Sequence, residues 1–236
     1  MNSNLWLVGA FAPAFIVGVA EAAEPTSPVY YGFRAERIEA RINDNSEVYA
    51  LDADAYVGTD ELKLVWRGEW EYSEEEDAFE LFENQARLQF PISTFFDAVV
   101  GAAYDAPKGP NRAYGVVGVK GLAPQWFEVD LDLFISDEPL LRFEAEYEAL
   151  ITQRITLTPS IEIDLPLTND EPIGNGAFAP LIEVGARLSY DLIDRAVSPY
   201  IGVHYELKTG KSGRLAQADG ENKDDLFFVA GVRLKF

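Results

Sequence analysis

The chain has 236 residues, no cysteine, and 40 Asp and Glu against 19 Lys and Arg, a net charge of −21. Disulfides, thiolate metal sites and cysteine nucleophiles are therefore absent, and a nucleic-acid partner is disfavoured because its phosphates would be repelled. Aromatic residues make up 13% of the chain, which argues against disorder.

The first element is the apolar run Leu5–Ala20, ending in Ala20-Glu21-Ala22. Small residues at the first and third positions of that triplet fit a signal-peptidase site, so residues 1–22 are expected to be a secretory signal peptide, although residues 1–4 hold no Lys or Arg. The run is shorter than the ~20 residues a spanning helix needs, and no later segment is apolar enough for one. Residues 23–30 form a short N-terminal segment, and residues 31–236 the folded unit.

That unit alternates with a period of two. Strands at about 33–42 and 48–57 open it. In the first, Phe33 and Ala35 are out of phase with Ile38, Ala40 and Ile42, so a bulge is expected near Arg37. Next, Leu62, Leu64, Trp66, Trp70 and Tyr72 share one face while Lys63, Arg67, Glu69 and Glu71 share the other. Strands at about 79–90, 95–105 and 112–122 follow. Then Val129, Leu131 and Leu133 oppose Asp130, Asp132 and Phe134; Phe143 and Ala145 oppose Arg142 and Glu144; and Ile161 and Ile163 oppose Ser160 and Glu162. Pro159 sits awkwardly in that last strand, since proline cannot donate to a ladder. Ile182, Val184 and Ala186 oppose Glu183 and Arg187; Val203 and Tyr205 oppose His204 and Glu206; Phe228, Ala230 and Val232 oppose Arg233.

About 12 strands of roughly 10–12 residues suit tilted membrane crossings. The expected fold is all-β: a closed antiparallel transmembrane β-barrel in outer-membrane lipid, with both termini periplasmic. A soluble sandwich or lipocalin-like barrel has the same alternation. The signal-like start, aromatics at strand ends (Trp66, Trp70, Trp126, Tyr190, Phe228) and the terminal Phe236 favour the membrane. Apolar faces can meet lipid only if every strand edge is paired, hence closure. The charged face then lines the lumen, its mixed signs pairing with one another or giving a cation-attracting path with excess carboxylate. His204 is the single histidine, with Glu206 on its face; Ser189 or Asp191 on the neighbouring strand is a conceivable companion for hydrolysis, but no Gly-x-Ser-x-Gly turn occurs and the chain is not read as an enzyme.

Four segments carry a family resemblance: Gly118-Val-Lys-Gly-Leu-Ala-Pro-Gln-Trp-Phe-Glu-Val-Asp130, Glu144-Ala-Glu-Tyr-Glu-Ala-Leu-Ile-Thr-Gln-Arg154, Pro199-Tyr-Ile-Gly-Val-His-Tyr-Glu206 and Asp225-Leu-Phe-Phe-Val-Ala-Gly-Val-Arg233. From about Tyr31 to Phe236 the chain resembles the copper resistance protein B family. The resemblance implies an outer-membrane barrel that binds or moves copper ions, contributes to copper tolerance and works with a periplasmic copper-binding protein. Members often carry a Met- and His-rich segment before the barrel, whereas residues 23–30 have neither residue. Cu(I) prefers soft sulfur ligands, which the chain after residue 22 lacks. Cu(II) would be left with His204, Glu206 and nearby carboxylates, a weak copper site. The alternative is a small structural or interaction barrel with no metal role.

Overall fold

A computed structural model describes residues 28–236 other than 45, 76, 107, 108 and 194. The expected signal peptide lies outside the described residues. The strands are β1 (Tyr30–Ile42), β2 (Glu47–Gly58), β3 (Lys63–Ser73), β4 (Ala78–Pro91), β5 (Phe96–Ala106), β6 (Arg112–Ala123), β7 (Phe127–Ile135), β8 (Leu140–Glu146), β9 (Ala149–Leu150), β10 (Ile155–Pro166), β11 (Leu181–Tyr190), β12 (Val197–Lys208) and β13 (Asp224–Lys235). Apart from β8 and β9, strands adjacent in sequence pair antiparallel, and β13 returns to pair with β1, closing the ring. β8 and β9 lie end to end along β10, so the described residues build twelve staves.

Both irregularities foreseen in the sequence have a visible cause. The register of β1 against β2 slips between Ala35 and Arg37, leaving Glu36 as the extra residue. The bulge turns Arg34, Glu36 and Arg37 all toward the charged interior, and Phe33 and Ile38 both outward. Pro159 accounts for the gap between β8 and β9. Tyr147 N–H donates to Pro159 O at 3.1 Å, but proline has no N–H to return, and the ladder breaks at residues 147–148.

The outward face is apolar: Leu88, Val117, Leu131, Val184, Ile201 and Phe228 are exposed, Phe228 to 70%. The inward face holds most of the buried charge, including Glu39, Arg41, Arg67, Arg87, Asp132, Arg142 and Arg187. This inverts the soluble pattern, in which buried Arg and Asp are rare, and it suits a hydrocarbon surround.

The two ends differ. At the end holding both Tyr30 and Lys235, the connections are short, and three use one device. Thr59, Ser93 and Thr152 each accept backbone N–H bonds at their side-chain oxygens from residues two and three ahead. At the other end the turns after β1 and β7 are also short, but residues 167–180 and 209–223 form long connections. The second holds the helix α1 (Gly210–Asp219), which the alternating pattern gave no reason to expect. Its polar sequence has no wide apolar stripe to announce it.

Candidate functional site

Ion pairs cross the lumen. Arg67 on β3 reaches Glu144 on β8 at 2.6 Å, and Arg142 on β8 reaches Glu69 on β3 at 3.2 Å. These opposed staves divide the interior into two lobes. On the β4–β7 side, Arg87 grips Asp132 at 2.6 Å and Asp130 at 3.3 Å. Gly118 makes room for that pair: a Cβ there would sit 1.8 Å from Asp132 Oδ1. Phe134, fully buried, packs with Val116 and Ala103, and the Arg142 guanidinium lies 5.2 Å from its ring centre.

On the β10–β1 side the interior is acidic and holds the histidine. Glu183 on β11 stands directly opposite Glu206 on β12, and His204, two residues earlier on the same face, pairs with Gly185. Like charges facing each other across a ladder repel unless a cation intervenes. Two nitrogen side chains, His204 and Arg41, stand against this pair. His204 Nε2 lies 3.0 Å from Glu206 and 3.3 Å from Glu183, and Arg41 Nη1 lies 3.3 Å from Glu206. Arg41 also reaches Glu71 at 2.6 Å and Glu39 at 3.0 Å. Arg187 closes the arrangement by binding Glu39 at 2.7 Å, and Tyr200 donates to the same carboxylate at 2.9 Å.

His204 is 2% exposed, and its Nδ1 has no hydrogen-bond partner among the described residues. One ligand atom from each of Glu183, His204 and Glu206 falls within 4.8 Å of the other two. One imidazole and two carboxylates form a hard-to-borderline N/O donor set. Such a set suits Cu(II), which heads the divalent first-row series, but not Cu(I). His204 and Glu183 also line a cavity of about 100 Å³. Its walls hold nine carboxylates against the four cations Arg34, Arg37, Arg67 and Lys120. A larger vestibule of about 630 Å³ at the termini end shares Arg34, Asp54, Arg67, Lys120 and Glu128 with it. The carboxylate excess belongs to the cavity that His204 lines and not to the vestibule.

Of the residues singled out in the sequence, the fold brings His204 and Glu206 together. It adds Glu183, already assigned to the lumen by its alternation but joined to His204 only by the β11–β12 register. Ser189 and Asp191 point elsewhere: Ser189 donates to Thr156 O and Asp191 accepts from Ser198, so neither serves His204.

A closed ladder, an apolar belt and a charge-filled lumen define an outer-membrane β-barrel. Solved barrels share the architecture at low sequence identity. The NanC porin superposes with a TM-score of 0.54 at 12% identity, covering 88% of this chain and 100% of that one. The KdgM porin gives 0.54 at 14% identity, covering 87% and 99%. Sequence then fixes the lineage: residues 29–236 match the family model of copper resistance protein B precursor (CopB), and the chain belongs to that family. Copper resistance protein B of Escherichia coli is 31% identical over 212 residues, spanning 89% of this chain and 71% of that protein. The homolog from Pseudomonas syringae pv. tomato is 30% identical over 206 residues, spanning 86% and 69%.

Proposed function

We propose that this barrel contributes to copper tolerance by drawing copper ions into its acidic lumen and holding them, as Cu(II), at Glu183, His204 and Glu206. The observation that carries the reading is the imidazole with two carboxylates beside a negatively lined cavity, in a chain of the CopB family. The net charge of −21 attracts cations, and carboxylates on the cavity wall concentrate them locally. Binding is weak, as suits an ion in passage. Glu206 is shared with Arg41, and a Cu(II) ion must compete with that guanidinium for the carboxylate.

Both termini face the periplasm in this reading, as in bacterial outer-membrane barrels with short inner turns. The vestibule then opens toward a periplasmic copper-binding protein, which receives or supplies the ion.

Two measurements test the reading together. A deletion strain carrying the wild-type chain should tolerate more copper than the same strain with empty vector. Purified His204→Ala protein should bind Cu(II) about tenfold or more weakly than wild type, a loss of at least 1.4 kcal/mol. Equal copper tolerance with and without the chain would leave a barrel with no metal role, the reading that the dense pairing of lumenal charges otherwise favours.

A further inference from the structure

The end of the barrel opposite the termini is bridged from wall to wall. The β5–β6 and β12–β13 connections are diametrically opposed, with six staves between them in either direction. Three contacts join them through the long connection between β10 and β11. First, Ser212 on α1 accepts from Gly176 N–H at 2.9 Å and donates to Ala179 O at 2.8 Å. Second, Lys211 on α1 bonds Glu171 at 2.5 Å, which holds the Glu171 carboxyl below its usual range. Third, the far side of the same connection reaches β6, where Arg112 grips Asp170 with two bonds of 2.6 and 2.8 Å. Asp170 is 5% exposed, although it lies in a loop.

Bridge and barrel are built differently. The barrel wall is a closed backbone ladder, with local interruptions such as those at Glu36 and at residues 147–148. The bridge is held by these polar contacts and buries little apolar surface, with Ala179 and Ala216 its buried apolar residues. Segments with few buried apolar contacts open at lower free energy than their scaffold. Glycines in left-handed conformation sit at its turning points: Gly174 (φ 77°), Gly210 (φ 50°) and Gly220 (φ 87°). These absorb backbone rotation that other residues resist.

From this we infer that residues 167–180 together with α1 form a gate across the loop end of the lumen, latched by the Arg112–Asp170 pair. Closed, it leaves the cavity beside His204 reachable from the vestibule alone. Open, it exposes Glu183 and His204, which lie near the loop ends of β11 and β12, to the other side. The gate needs no copper and stands apart from the metal reading.

The chain has no cysteine, so single reporters can be introduced cleanly. Glu183→Cys lies beneath the gate, and Lys63→Cys lines the vestibule. In detergent micelles both are exposed to a bulky polyethylene-glycol maleimide, too wide to thread the 100 Å³ cavity. Adding Arg112→Ala should speed labelling of Glu183→Cys roughly tenfold, the population shift expected from losing one charge-assisted latch. Replacing residues 210–219 by a short Gly-Ser linker should speed it at least as much. Lys63→Cys should label at one rate in all backgrounds. Retention of the compact, heat-modifiable form on gels reports an intact barrel. The gate is overturned if neither change accelerates Glu183→Cys in folded barrels. It is also overturned if Glu183→Cys labels as fast as Lys63→Cys with the latch intact.

Discussion

The two lobes of the lumen are lined by the same residue types and use them differently. In the β4–β7 lobe, Arg87 is 1% exposed, its two aspartates are held by geometry that Gly118 permits, and Phe134 packs against Val116 and Ala103. In the β10–β1 lobe, Glu183 and His204 line a cavity whose walls hold more acids than bases. Buried charge with matched partners and aromatic filling is structural. Buried charge in excess, beside free volume, is a site for a cation. The lesson is that the balance of charge and the space around it separate support from function, since both lobes show the same alternation.

The sharpest way to break the comparison is Arg87→Ala. It strands Asp130 and Asp132 in a buried lobe, and should lower the unfolding free energy in urea by about 3–5 kcal/mol while leaving Cu(II) binding unchanged. A loss below about 1 kcal/mol would mean the first lobe is no more structural than the second. Gly118→Ala is the next test. Its Cβ collides with the Asp132 carboxylate and with Leu131 O, and should cost about 1–3 kcal/mol by the same titration. In the other lobe, His204→Ala should weaken Cu(II) binding about tenfold or more, and should also lower the urea midpoint, because Glu183 and Glu206 are left facing each other. Wild-type binding should weaken as pH falls, because only neutral imidazole can ligate a metal. Calorimetric titration at two pH values checks both statements. The smallest effect expected is from Pro159→Ala, which restores an N–H facing Tyr147 O and should add about 0.5–1 kcal/mol. Hydrogen exchange at residues 147–150 should slow accordingly.

The site was half legible in the sequence. His204 and Glu206 are two residues apart on one strand, so a period of two places them on one face without further information. Glu183 is 21 residues away, and its approach depends on how β11 slides against β12. Arg41 comes from the opposite end of the chain, brought in only by closure of β13 on β1. No pattern within one strand encodes either relation.

By itself the sequence determined the staves, their facing, the bulge near Arg37 and the difficulty at Pro159, because each follows from local backbone geometry and side-chain polarity. The tertiary structure decided which charges meet across the lumen, that cross-lumen pairs divide it into two lobes with the carboxylate excess beside His204, and that a helix bridges one mouth. These are relations between residues far apart in the chain. They are set by strand register and barrel closure, which a period of two specifies for facing but not for partner.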